Sequence, residues 1–197
     1  IGSVIPVTDH SFAALNSAGG TVSLTSSGPG TLVVTTANVD GSGASFNYNG
    51  ADMTAGANID ASATSVAATL TGGAGGDTLA GGSSNDVIVG GAGADEITAN
   101  AGFDSIDGGS GNDTLTGGAG ADALIGNAGT NTYVGGADAD TITDTTGGST
   151  VTGGAGGDTI AVNELGNEVT VNSGSGEDTV TLAASTATTV NAGGDND

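Results

Sequence analysis

From Gly72 onward the chain repeats a nine-residue unit, and that period decides which side chains can share a core. The unit runs Gly72-Gly73-Ala74-Gly75-Gly76-Asp77-Thr78-Leu79-Ala80, then Gly81-Gly82-Ser83-Ser84-Asn85-Asp86-Val87-Ile88-Val89, with an acid at position six and an aliphatic residue at position eight. Leu79, Ile88, Ile97, Ile106, Leu115, Leu124, Tyr133, Ile142, Val151, Ile160 and Val169 fall in one column, a frame read without a slip through Val169. Such a period marks a repeat architecture, in which a unit buries its apolar residue only by stacking on its neighbours.

Composition agrees with a thin, elongated core. With 40 glycines among 197 residues and 3% aromatics, the side chains are too small to bury enough area around one centre. The chain has 22 acids and neither Lys nor Arg, a formal charge of -22. That charge repels nucleic acid and anionic membrane surfaces, so the partners it predicts are cations. A mean hydropathy of +0.09, with the aliphatic column, argues for folding once the charge is neutralised. No cysteine is present, which excludes disulfides and thiolate metal sites and fits an extracellular chain held together by other means. No apolar run approaches the roughly 18 residues of a membrane span, so direct membrane insertion is not expected, and no signal peptide is apparent. The closing stretch Ala192-Gly193-Gly194-Asp195-Asn196-Asp197 resembles another unit, suggesting a piece of a longer protein whose repeats continue.

Two regions are expected. Residues 1–69 lack the nonapeptide but carry short β-prone runs at 3–7, 21–25, 31–36 and 44–49, punctuated by Gly, Ser, Asn, Pro6 and Pro29. They read as a β-rich segment, either an extension of the repeats or a small β-domain; residues 70–197 form the repeat array.

Within one unit, Gly-Gly-x-Gly-x-Asp reads as a turn and x-aliphatic-x as a short strand whose central side chain points inward. Glycines suit a turn that takes positive φ or brings carbonyls close to an ion. The acid supplies a hard oxygen, and carboxylates with backbone carbonyls are the ligand set of Ca²⁺; no sulfur and a single imidazole are available to favour a softer metal. The candidate ligands are Asp77, Asp86, Asp95, Asp104, Asp113, Asp122, Asp140 and Asp158, with Asn131 and Asp178 as weaker members. The turn glycines proposed beside them are Gly73, Gly75, Gly82, Gly91, Gly93, Gly109, Gly111, Gly118, Gly120, Gly136, Gly154 and Gly156.

The tandem Gly-Gly-x-Gly-x-Asp-x-aliphatic-x pattern over about residues 72–181 resembles the RTX family, the Ca²⁺-binding repeats of secreted bacterial toxins, proteases, lipases, adhesins and S-layer proteins. The resemblance implies an all-β fold: a right-handed parallel β-roll, or β-solenoid, stapled by Ca²⁺, with two nonapeptides per coil and ions between stacked turns. Residues 18 apart then stack. One column holds Asp86, Asp104, Asp122, Asp140 and Asp158; the other begins Asp77, Asp95, Asp113 and decays to Asn131, Ser149 and Asn167. Pairing along both columns predicts about six or seven bridging ions. Departures from glycine at Ser84, Asn100 and Asp138 put individual sites in question, and two residues inserted after Val169 restore the frame at Gly174, with Asp178 opening a further site. Coils about 4.8 Å apart set carboxylates against one another by nearly 1 kcal/mol per pair even in water, and by several at an effective dielectric near 20. Without Ca²⁺ the array is expected to be disordered. The resemblance further implies passage through a type I secretion channel unfolded, and folding outside.

Other chemistry finds little support. Acids placed by a period are ligating or solvated by default, not a glycosidase pair. His10 lacks a second His or a Cys beside it and reads as a packing or solvent residue; no Ser-His-Asp set can be assembled around it. No Lys follows any Gly-rich turn, which removes the phosphate-loop reading. Tyr133 reads as a core aromatic marking an altered coil, and Phe103 as an exposed turn residue. The expectation is a non-enzymatic structural region of an S-layer or adhesin at the cell surface, self-associating through Ca²⁺; the alternative is the passenger region of a secreted protease or lipase. Ice binding is discounted, because position five (Gly76, Asn85, Ala94, Phe103, Asn112, Ala121) offers no uniform row.

Overall fold

The computed structural model of the chain describes residues 3–4, 10–12, 15–18, 21–28, 32–34, 37–40, 44–163, 168–183 and 188–194. Every regular element among them is a β-strand. Ten strands form a first sheet: Ser3–Val4, Thr21–Gly28, Ser45–Met53, Ala68–Gly73, Val87–Ala92, Ser105–Ser110, Ala123–Ile125, Thr141–Asp144, Thr159–Asn163 and Thr179–Ala183. Ten more form a second: His10–Phe12, Leu32–Val34, Asn58–Asp60, Thr78–Ala80, Glu96–Ala101, Thr114–Ala119, Thr132–Ala137, Thr150–Ala155, Val169–Ser175 and Thr188–Asn191. From Ser45 the chain alternates between the sheets, so each strand pairs in parallel with the strand two steps later. The result is the expected parallel β-solenoid.

The period of two within a strand explains the core. With the unit numbered from its first glycine, positions six, eight and one all face inward, because they lie two residues apart. Ile88, Ile97, Leu115, Ile142 and Val151, at position eight, have no exposed surface, while position seven between them and the acids is exposed. Each buried aliphatic side chain contributes about 1.5–3 kcal/mol. The core is a single file of such residues from both sheets, flanked on each edge by acids.

The N-terminal strands belong to the same sheets. Thr21–Gly28 pairs with Ser45–Met53, which pairs with Ala68–Gly73; Leu32–Val34 pairs with Asn58–Asp60, which pairs with Thr78–Ala80. A third, two-stranded sheet of Leu15–Ala18 and Ala37–Asp40 adds a side to the first coils. Pro6 and Pro29 lie outside the described residues. The nonapeptide frame vanishes here because the coils are longer: Tyr48 pairs with Leu70 and Ile59 with Leu79, whereas Leu70 pairs with Ile88, one 18-residue coil on.

One frame assignment is corrected. Val151 stacks on Val171, not on Val169, and Gly154 on Gly174. The two extra residues therefore enter between Asn163 and Val169, not after Val169, lengthening a turn while inter-strand hydrogen bonds hold the register. Val169 occupies position six of its coil, fully buried, and Asn167 lies outside the described residues.

Candidate metal centre

Turns from the first sheet to the second make one edge, at 72–77, 90–95, 108–113, 126–131 and 144–149. Turns back make the other, at 81–86, 99–104, 117–122, 135–140, 153–158 and 173–178. Each position-six acid is buried, with 1–3% exposure from Asp77 to Asp158.

The two carboxylate oxygens have separate tasks. Oδ1 accepts a backbone N–H from the preceding coil. On the first edge the N–H groups of Asp77 and Asp95 donate to Asp95 and Asp113 at 2.7 and 3.0 Å. On the second edge Asp86, Asp104, Asp122, Asp140 and Asp158 donate to Asp104, Asp122, Asp140, Asp158 and Asp178 at 2.7–2.9 Å. The second column thus runs unbroken into Asp178. Stacked acids are tied by hydrogen bonds through one oxygen, a link that a count of acid pairs alone does not reveal.

Oδ2 faces the turn. In Asp95, Asp104, Asp113, Asp122, Asp140 and Asp158 it is buried and accepts no hydrogen bond. A Cβ added to Gly90, Gly117, Gly135 or Gly153, the position-one glycines, would meet the Oδ2 of Asp95, Asp122, Asp140 or Asp158 together with the carbonyl of Gly108, Gly135, Gly153 or Ser173 in the next coil. Two acceptors thus converge with no donor between them, at sites walled off from water. Such an arrangement is costly unless a proton or a cation intervenes, and hard oxygens of this kind suit Ca²⁺. Among the described residues no three His, Cys, Asp or Glu side chains gather, so an ion held here would draw on carbonyls as much as on carboxylates. The position-one carbonyls were not among the sequence candidates, although the inward period of two, carried on from positions six and eight, points to that column.

The electrostatics agree. Burial pushes the carboxyls of Asp77, Asp86, Asp113, Asp122 and Asp158 above their usual range, against the lowering effect of the backbone N–H donors. Burial, with neighbouring acids adding to it, raises Asp95 and Asp104 to about 6 and Asp140 to about 7.

The predicted ligands fall into two kinds of turn. From Gly91 on, positions two and four take positive φ, as in Gly91, Gly93, Gly109, Gly111, Gly118, Gly120, Gly136, Gly154 and Gly156. There Gly111 sits on the Gly93 carbonyl, leaving no room for a side chain. Gly73, Gly75 and Gly82 do not take positive φ, and the N–H groups of Gly73 and Gly82 donate to Oδ2 of Asp77 and Asp86 at 2.8 and 2.6 Å. The Oδ2 of each of these two acids is satisfied within its own turn, while its Oδ1 accepts the N–H of Ala57 or Ala68 in the coil before. Asn100 (φ 79°) and Asp138 (φ 73°) keep the left-handed geometry that glycine has elsewhere, as Asn and Asp do most readily, so these departures preserve the turn. At Ser84 the turn does change: the strand ends at Ala80, and Ser84 donates its hydroxyl to the Ser65 carbonyl.

Where the first column decays, Asn131 accepts the Asp113 N–H through Oδ1 at 2.9 Å, leaving Nδ2, a donor, on the side where acids present Oδ2. Ser149 in turn accepts the Asn131 N–H. His10 lies in a strand of the second sheet with its side chain outside the described residues, and Phe103 is 66% exposed. No helix of the described chain is long and apolar enough to cross a membrane.

Comparison with known families finds four overlapping matches, at residues 71–106, 98–133, 107–142 and 134–164, to one described as the RTX calcium-binding nonapeptide repeat. No curated protein matches the chain significantly.

Proposed function

Because the chain belongs, over residues 71–164, to the RTX calcium-binding nonapeptide repeat family, we propose that it is the structural, non-catalytic region of a secreted bacterial surface protein, an S-layer component or adhesin, that folds and assembles on binding Ca²⁺. The observation that carries this reading is that six position-six acids, Asp95, Asp104, Asp113, Asp122, Asp140 and Asp158, each bury an Oδ2 with no hydrogen-bond donor. When bound, Ca²⁺ supplies the positive charge that carboxylate and carbonyl lack. The residues of the chain then orient the site: Oδ1 anchors each acid to the coil before it, glycines at positions two and four bend the turn, and the aliphatic column excludes water. About six or seven ions fit this pattern, along Asp104 to Asp178 on one edge and Asp95 to Asp113 on the other.

The same coupling supports export. A chain whose charge is uncompensated at low cytosolic Ca²⁺ stays unfolded for passage through a type I secretion channel and folds outside, where Ca²⁺ is abundant. With 22 acids and no basic residue, copies repel one another, and exposed acids bridged by Ca²⁺ would relieve that repulsion in a surface layer.

Two measurements test the proposal. Circular dichroism of the whole chain is expected to lose its β signal on chelation and regain it with Ca²⁺; a metal-free sample that keeps the full signal refutes Ca²⁺-dependent folding. Electron microscopy is expected to show ordered sheets or filaments only with Ca²⁺. Assemblies that persist in chelator, or a chain that stays monomeric at millimolar Ca²⁺, count against the surface-layer role and favour a passenger region beside an enzyme domain.

A further inference from the structure

The carboxylate of Asp144 has no place in either acid column. It stands at position one of its turn, where the earlier first-edge turns have Gly72, Gly90, Gly108 and Gly126, and position six of the same turn is Ser149. Asp144 has no exposed surface, and its Oδ2 is buried without a hydrogen-bond partner, the same condition as in the regular acids from Asp95 to Asp158.

The regular turns explain where this side chain goes. On the same edge a Cβ added to Gly72, Gly90 or Gly108 would meet the Oδ2 of Asp77, Asp95 or Asp113, the acid five residues on in its own turn. A side chain at position one is therefore aimed across the turn at position six. Asp144 reaches it, for Ser149 donates its hydroxyl to Asp144 Oδ1 at 3.2 Å. A long side chain at position one meets a short one at position six, the reverse of glycine meeting aspartate.

The two tasks of a position-six acid are thereby shared between two residues. Ser149 Oγ accepts the Asn131 N–H at 3.0 Å, the link to the preceding coil that Oδ1 makes elsewhere. Asp144 supplies the orphan oxygen. Its Oδ1 accepts both the Ser149 hydroxyl and, at 3.3 Å, the Tyr133 hydroxyl, which leaves neither for Oδ2. The remaining hydroxyls of the turn are engaged with other coils: Thr145 donates to the Asn127 carbonyl at 2.7 Å, and Thr146 to those of Asn127 and Gly129 at 2.8 and 2.9 Å. No lysine or arginine exists in the chain to neutralise the acid. A buried carboxylate in that state is costly unless a cation joins it.

We infer that Asp144 holds a further Ca²⁺ site outside the position-six register, in which the carboxylate has crossed its turn from position six to position one. This rests on Ca²⁺ binding in the regular turns, as proposed above. By the coil repeat the carbonyl opposite is that of Val162, the position-one residue of the next coil, which pairs in register with Asp144. The first-edge ladder then does not end at Asp113. It skips the turn at Asn131, where an amide Nδ2 stands beside Gly126 in place of Oδ2, and resumes one coil on.

Native mass spectrometry of the whole chain in saturating Ca²⁺ counts the ions, with circular dichroism checking the fold of each variant. D144N keeps an oxygen for the Ser149 and Tyr133 hydroxyls and turns the orphan atom into a donor; it is expected to bind one ion fewer than the wild type. D144G/S149D moves the acid back to position six and is expected to keep the wild-type count. A folded D144N chain with the full count, or a D144G/S149D chain with one ion more, overturns the site, because Asp144 then carries a proton where the inference places a metal. If D144N does not fold, the double variant, whose turn regains the glycine and acid of its neighbours, decides alone. A wild type that binds no Ca²⁺ overturns the calcium reading itself, whereas a wild type that binds ions and loses none on D144N overturns only the site at Asp144.

Discussion

Asp122→Asn separates the two tasks of a position-six acid. Asp122 accepts the Asp104 N–H through Oδ1 at 2.9 Å, while its Oδ2 lies buried beside the Gly135 carbonyl with no donor. Asn131 shows within the same chain that an amide keeps the first contact, accepting the Asp113 N–H at 2.9 Å. The substitution therefore preserves the coil-to-coil hydrogen bond and replaces the proposed ligand oxygen by a donor. Losing one ion at a free Ca²⁺ about 100 times its dissociation constant costs about 2.7 kcal/mol, and for a chain of this size that lowers the melting temperature by about 5–11 °C. In chelator the sign reverses. An uncompensated buried carboxylate is gone, so the variant gains about 1–3 kcal/mol and folds at a lower concentration of a stabilising osmolyte than the wild type. Asp122→Ala is less stable than Asp122→Asn under both conditions, because the Asp104 N–H is left buried without an acceptor at about 1–3 kcal/mol. Thermal melts by circular dichroism in Ca²⁺, paired with osmolyte titrations in chelator, measure both arms. If Asp122→Asn loses equal stability with and without Ca²⁺, or loses none in Ca²⁺, the division of labour between the two oxygens is wrong.

Asp77→Asn is expected to behave differently, since its Oδ2 accepts the Gly73 N–H at 2.8 Å and an amide there sets donor against donor; calorimetry should register a loss of about 1–3 kcal/mol whether or not Ca²⁺ is present. The raised carboxyls give metal-free chain an unusual pH response: protons bound by Asp95, Asp104 and Asp140 favour the fold fully below the ordinary value of 3.8, and that contribution is lost as pH rises through about 6 to 7. In chelator the β signal should therefore grow on acidification from pH 7.5 to 5, while Ca²⁺ affinity measured by titration calorimetry falls over the same range because protons compete for the site. Gly111→Ala should destabilise by about 1–3 kcal/mol or more in urea melts, since φ is +134° and its Cβ collides with the Gly93 carbonyl. Gly157→Ala, outside the positive-φ region and with its nearest contact at 3.0 Å, should cost much less.

The acids and aliphatic residues were legible in the sequence because an inward column two residues apart leaves an unmistakable mark when each coil has the same length. Leu79, Ile88 and Ile97 lie where the pattern put them. The pattern was silent wherever coil length changed. Tyr48, Ile59 and Leu70 obey the same inward rule as Leu79, but coils of 22 and 20 residues erase any fixed spacing. Val169 and Val171 are both aliphatic and both buried, so composition gave no warning that the frame had slipped between them. The site was half visible. Position six advertised its oxygen, whereas the division of its work between Oδ1 and Oδ2, the position-one carbonyls and the self-satisfied turns at Asp77 and Asp86 depend on peptide orientation, which no side chain encodes. Tyr133 stands out in the sequence as an aromatic in an aliphatic column; that its hydroxyl crosses to the turn at Gly126 is a matter of length, since only a tyrosine in that file is both apolar and long enough.

Every Oδ1 link runs the same way, from an acid to the N–H one coil nearer the amino terminus. The stack is therefore directional, and its ends do not fray alike. Peeling a coil from the carboxyl-terminal side removes an acceptor and strands a buried amide on the coil beneath; peeling from the amino-terminal side removes a donor and frees a carboxylate, which water and counterions accommodate more readily. Pulled from its two ends in turn, the same molecule should show two different rupture forces, a mechanical polarity set by one hydrogen bond per turn on each edge.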